Sequence, residues 1–210
     1  MHITKYFFRL LLTPVLFFWV AESYALGLGI TTGSGSEEWD HNYIGVSSFN
    51  HDGDREIRNF GFVLDTAVAR NALFNYRFSF VAEKNSADRA GLDMKGVAMT
   101  HDFGFALFRN KAVRVWLGPR VKVSYFNDIT QTLSSSSTDG NVVGIGFGPV
   151  FGINIHLPEV ASFSITAGTL RGGYVGEYET SPVYTFNDLD VDSRGGFVNF
   201  SVLFRIRDNY

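Results

Sequence analysis

From residue 197 to the C-terminus the chain alternates strictly. Val198, Phe200, Val202, Phe204 and Ile206 make one wholly apolar face, and Asn199, Ser201, Leu203, Arg205 and Arg207 make the other. A period of two with one greasy and one wet side is a β-strand between unlike neighbours. The apolar face runs close to the C-terminus, where the chain ends on an aromatic, Tyr210. In lipid an open sheet edge finds no water to satisfy it, so such a strand must pair with the first one and seal a ring.

Upstream, apolar alternating segments are separated by polar gaps of two sizes. The pattern predicts strands over 26–34, 57–68, 72–83, 94–108, 112–126, 142–156 and 161–175, with the terminal strand as the eighth. The third sets Phe74, Tyr76, Phe78 and Phe80 against Asn75, Arg77, Ser79 and Glu83, with Val81 as an apolar exception. The fifth sets Val113, Val115, Leu117, Val121 and Val123 against Arg114, Trp116, Arg120, Lys122 and Ser124. The sixth opposes Val143, Ile145, Phe147, Phe151, Ile153 and Ile155 to a row of glycines and Asn154. The gaps 35–56, 84–93, 127–141 and 176–195 are long or medium; 69–71, 109–111 and 157–160 are short.

That alternation of gap lengths, on an even number of strands, predicts an all-β fold. It is an eight-stranded antiparallel up-and-down transmembrane β-barrel with short periplasmic turns and long extracellular loops. A soluble sandwich or ligand-binding barrel also alternates, but turns its apolar side inward to fill a core. Here one side is nearly pure Phe, Val, Ile and Leu. The other mixes charges with glycine and cannot be a hydrophobic core.

The first 25 residues follow a different rule. Lys5 and Arg9 precede an apolar run interrupted by Pro14, and Ser23-Tyr24-Ala25 supplies small residues where a signal peptidase reads them. The run falls short of the roughly 20 residues a membrane helix needs. Residues 1–25 are therefore expected to be a cleaved secretory signal, and 26–210 the barrel, delivered to a bacterial outer membrane. Removing Lys5, Arg9 and Glu22 takes basic residues from 18 to 16 and acidic ones from 21 to 20, a net charge of −4. No basic excess suggests nucleic acid. Cys is absent, which removes disulfides and thiolate chemistry. With 22 Gly and 21 Phe, the composition agrees with an all-β chain.

The export signal, the eight alternating segments and the terminal strand together resemble the OmpA/OmpX-type small outer-membrane barrels. The resemblance spans the mature chain as a pattern rather than a local motif, and carries no functional residue across. One departure is that Tyr210 takes the last position and Asp208 breaks the alternation before it.

Eight strands leave a bore that side chains can fill. The inward set, Asp65, Arg77, Asp102, Arg114, Trp116, Arg120, Lys122 and Arg205, predicts a polar plug in which Asp65 and Asp102 balance the arginines. A tight 109–111 turn places Asp102 near Arg120 and Trp116 opposite Gly104. A narrow or gated channel is the alternative. Aromatic belts are expected from Phe74, Phe108 and Phe204 at one interface, and Tyr125, Phe126, Tyr174 and Phe62 or Phe80 at the other.

A lipid A-modifying enzyme would need a His with a Ser and a carboxylate facing the outer leaflet. His41 and His51 fall in the first loop, His156 beside a turn, and His101 on the lipid-facing parity, with no His-x-Ser arrangement; no catalytic residue is assigned. Asp52, Asp54 and Glu56, and Asp188, Asp190 and Asp192, are acidic clusters without EF-hand spacing, so no metal and no cofactor is expected. Tyr43, Ile44, Val46 and Phe49 could extend the sheet above the membrane, and Ser134–Ser137 reads as a loop tip. The expected partners are outer-membrane lipid and lipopolysaccharide, periplasmic chaperones and the barrel-assembly machinery, and an extracellular partner at the loops. The predicted role is structural or surface-interacting.

One lipid-facing side on every strand makes the fold detergent-dependent. Sedimentation of the mature chain in plain buffer is expected to show aggregate; a folded, monodisperse monomer there would refute the membrane reading.

Overall fold

The computed structural model describes residues 26–41, 53–67, 73–87, 92–131, 136–138, 140–157, 161–180 and 185–207. Strands β1 (Leu26–His41), β2 (Gly53–Asp65), β3 (Phe74–Ala87), β4 (Leu92–Arg109) and β5 (Val113–Gln131) come first. They are followed by β6 (Ser136–Thr138), β7 (Gly140–His156), β8 (Ala161–Thr180) and β9 (Thr185–Arg207). All pairings are antiparallel and join neighbours in sequence except that β7 pairs with β5 past the short β6 and β1 with β9, which closes the sheet into a ring. Eight strands form the wall; β6 is a three-residue strand laid on the end of β5.

The closing seam runs the whole length of the first strand, from Leu26 opposite Arg207 to His41 opposite Val191. The terminal strand thus pairs with the first. Connections 66–73, 110–112 and 157–160 lie at the end of the ring where the chain enters and leaves, the turn end; the opposite end is the loop end. Residues 1–25, which the sequence reads as an export signal, Val68, His51, Asp52, Tyr43, Ile44, Val46 and Phe49, and Asp208 and Tyr210 lie outside the described residues.

Alternation sorts the side chains as hydropathy demands. Ile30, Phe60, Phe62, Phe105, Ile145, Phe147, Phe163, Phe200 and Phe204 stand exposed around the outside, a continuous apolar belt. Were this surface in water, its area would exceed any ordinary patch on a soluble monomer. In acyl chains it is the stable arrangement. Toward the loop end the same outward positions turn polar: Ser34, Ser36, Glu38 and Asp40 on β1, Asp54, Glu56 and Arg58 on β2, Asp190, Asp192 and Arg194 on β9.

The long gaps are where the structure departs from expectation. Much of 35–56 and nearly all of 176–195 is strand: β8 and β9 stay paired up to Thr180 opposite Thr185. Those parts of the gaps are paired strands that rise past the belt. Hydropathy misses them because both faces carry polar residues there.

Two outer-belt expectations also change. Phe126 and Tyr174 point into the lumen and are buried, whereas Phe62 and Phe80 face out. Parity explains this. Phe126 shares it with Lys122 and Ser124, and a bulge beyond it exposes both Asn127 and Asp128 and returns Ile129 to the interior.

Phe147 sits outward near the middle of the belt, opposite Val121. Phe147→Arg is expected to lower the unfolding free energy in lipid vesicles by roughly 2–4 kcal/mol, whereas Arg58→Ala in the polar zone leaves it nearly unchanged. Denaturant titration of refolded protein measures both.

Candidate functional site: the packed lumen

Inward residues fill the bore in layers. Nearest the turn end, Asp65 is wholly buried and holds Arg77 at 2.7 and 2.9 Å, while its other oxygen accepts from the Ala67 backbone N–H at 2.9 Å. Arg77 reaches across the bore to donate to Ser164 (2.7 Å) and Asn154 (3.2 Å). Asn154 Oδ1 also accepts from Ser164 (2.8 Å) and from the Trp116 indole (3.3 Å). The Arg77 guanidinium lies 5.5 Å from the Trp116 ring centre. Strands β2, β3, β5, β7 and β8 meet in this one network.

The Trp116 ring fits because its neighbours have no side chains. A Cβ on Gly104 or Gly152 would collide with it. Trp116 stands opposite Ala106 rather than Gly104: the turn is wider than 109–111, with Arg109 facing Arg114, and a bulge at Leu107 then moves the register by one residue. The same shift sets Asp102 directly opposite Arg120.

That second pair is bidentate, at 2.6 and 2.7 Å, and both residues are buried. The geometry is the planar fork match that makes Arg–carboxylate pairs specific. Arg120 also lies 4.0 Å over the Phe197 ring. In the amide orientation that satisfies both its atoms, Asn199 accepts from Arg120 Nη1 at 3.0 Å. One level higher, Lys122 meets Glu83 at 2.8 Å, and Ser124 donates to the same carboxylate. Glu83 was missing from the sequence-derived plug, although its parity already placed it inward.

Above these pairs the lumen becomes apolar. Trp39, Leu92, Met94, Phe126, Ile129, Val142, Tyr174, Tyr178, Leu189 and Val191 form a buried cluster. Arg55 stacks 3.9 Å over Trp39 and donates to Asn85 and to the Leu92 carbonyl. Glu37 accepts from Tyr174 (2.9 Å), Trp39 (3.1 Å) and Asn85 (3.2 Å). A charge run in sequence, Glu37-Glu38-Trp39-Asp40, thus splits by parity into a buried pair and an exposed pair. Between the two regions lies a cavity of about 40 Å³, bordered by Glu37, Ile57, Ser79, Glu83, Lys122 and Phe197. It has room for about two or three waters.

Arg114 and Arg205 are brought to no carboxylate among the described residues. Arg114 is fully buried, with one contact to the Leu73 carbonyl at 3.4 Å. Arg205 donates to the Leu157 carbonyl at 3.0 Å. His101 lies on the outer face with its Nδ1 2.7 Å from Tyr76 Oη. His156 faces inward with Nδ1 2.9 Å from Ser162 Oγ, a His–Ser pair that no local motif reveals because a turn separates the two. No carboxylate contacts His156 Nε2, which has no hydrogen-bond partner. The acidic clusters point outward: Glu56 is paired with Arg58 at 2.7 Å, and Asp54, Asp190 and Asp192 are on the exposed parity. Among the described residues no three His, Cys, Asp or Glu converge on one point.

No protein-family model matches the chain, and no curated protein does. Solved structures do. The outer membrane protein OprG from Pseudomonas aeruginosa aligns over 90% of this chain and 99% of its own with a TM-score of 0.55, at 12% identity. AlkL in lipid bilayers (15% identity, 90% and 93% covered) and Neisserial surface protein A (13%, 85% and 97%) score 0.49 and 0.48. At such identity the OprG likeness speaks for the fold alone. The closed eight-stranded wall and its apolar belt give this chain the OmpA/OmpX-like fold of the small outer-membrane β-barrels. The belt of exposed Phe, Ile, Leu and Val fits lipid acyl chains.

Removing one partner of a buried pair strands the other charge. Arg77→Leu is expected to cost about 3–5 kcal/mol, and the double variant Asp65→Asn/Arg77→Leu clearly less than the two single changes together. A denaturant-unfolding double-mutant cycle measures the coupling; additivity would mean that the pair does not act as a unit.

Proposed function

We propose that this barrel is sealed along its axis and acts as a structural or surface-interacting element of the outer membrane, meeting partners through its loop end. The observation that carries this reading is occlusion at two levels. The Asp65–Arg77–Trp116–Asn154 network and the Trp39–Tyr174 cluster each cross the bore with side chains 0–4% exposed. A diffusion pathway would have to break both. Glu38, Asp40, Asp190 and Arg194 stand outward beyond the belt, where another macromolecule or lipopolysaccharide sugar can reach them.

The role is read as non-enzymatic. His101 is engaged by Tyr76, and the His156–Ser162 pair lacks the orienting carboxylate that a nucleophilic serine needs. Residues 1–25 serve as the removable export signal in this reading. Chaperones and the assembly machinery would handle the exposed belt before insertion. Asp65, Arg77, Asp102, Arg120 and Lys122 would hold the plug, with Arg114 and Arg205 below it.

The cavity of about 40 Å³ beside Glu83 and Lys122 favours one second reading, a narrow gated conduit for ions or small solutes. Planar-bilayer recording separates the two. The sealed barrel gives no stable steps; reproducible nanosiemens steps would overturn it. Small steps raised by Trp39→Ala would favour the conduit.

A further inference from the structure

The lower lumen holds more hydrogen-bond donors than it can use. Arg114 Nε and Nη1, Asn154 Nδ2, His156 Nε2 and Arg205 Nε are all buried without a partner. Their placement is not scattered. Arg114 stands directly opposite Asn154, and His156 follows two residues on, opposite Ser162. Ala161 pairs with Phe204, which brings Arg205 to the same rim, and both Arg114 and Arg205 lie within electrostatic reach of His156. Ser162 Oγ engages Nδ1, so Nε2 is the His156 ring nitrogen left free to meet a ligand.

Charge gives the same answer. Asp65 is occupied by Arg77, so two guanidinium groups remain here without a carboxylate among the described residues. A buried, unpaired arginine is costly, and a cluster with this many free nitrogens is complementary to an oxyanion, although Asn75 Oδ1 beside Asp65 is an unpaired acceptor. Water can accept from some of these donors but cannot neutralise Arg114.

We infer that the turn end of the lumen is a binding site for a phosphate-class oxyanion, held by Arg114, His156 and Arg205 with Asn154 as a neutral donor. The ion enters from the turn-end mouth, where Arg205 is only partly buried. Free phosphate and a phospholipid headgroup share the required chemistry.

The test is calorimetric titration of inorganic phosphate, at fixed ionic strength, into protein refolded in a maltoside detergent. A second arm repeats it in nanodiscs of phosphatidylglycerol. Saturable heat is expected in detergent, weakened about tenfold or more by Arg114→Gln and by a smaller factor in Arg205→Gln, as loss of a charged hydrogen bond implies. Circular dichroism checks folding, and the partly exposed Arg205 supplies a variant that leaves the barrel intact should Arg114→Gln not fold. Heat in both arms assigns a free ion; heat lost only in the nanodiscs assigns a headgroup already seated. No saturable heat in detergent, or heat indifferent to both substitutions, overturns the site.

Discussion

The structure depends on one demand of the bilayer interior: every backbone N–H and C=O must find its partner within the protein. A sheet meets that demand only by having no edge. The seam between β1 and β9 is therefore the interaction on which the rest rests, and it is long, unbroken from Leu26 to His41 apart from one irregularity at its very start. Closure then dictates the remainder. A ring of eight strands has a fixed, narrow bore, and alternation makes every second residue face either lipid or that bore.

A narrow bore full of charge is stable only if the charges are matched. The two arginine–aspartate pairs sit one above the other, Asp65–Arg77 below and Asp102–Arg120 above. Buried ion pairs are weak evidence of stability, but they discriminate strongly between registers. A one-residue slip of β3 would turn Arg77 to the acyl chains and Phe78 into the bore. The apolar cluster around Trp39 and Tyr174 works differently. It is a small core of the soluble kind, built where the wall has left the membrane and the exterior is wet.

The sequence revealed whichever parts obey a single rule. β9 and β7 were legible because lipid on one side and a polar bore on the other produce clean alternation, as in Val198 to Ile206 and Val143 to Ile155. β1 read weakly, since glycines such as Gly27, Gly29 and Gly33 occupy its inward positions. The upper parts of β1 and β9, and the last five residues of β8, read as loops because no lipid demands apolar residues outside them, and Glu37 or Arg55 looks solvent-borne until its buried partners are seen. Register was a second limit. A tight 109–111 turn placed Trp116 opposite Gly104 and Asp102 near Arg120, but the turn is wider and a one-residue bulge falls at Leu107, a net displacement of two positions, and nothing in Ala106-Leu107-Phe108 announces a bulge. The unpaired donors of Arg114 and His156 were equally hidden, because only the fold shows which charges lack company.

The strands that outgrow the apolar belt turn the top of the barrel into a stiff collar. Residues at the ends of such ladders, as Thr180 and Thr185, take their position from the pairs below rather than from their own composition. Substitution, lengthening or shortening at those ends would thus leave the membrane-embedded wall undisturbed, so the outermost surface can diversify while the wall beneath it stays fixed.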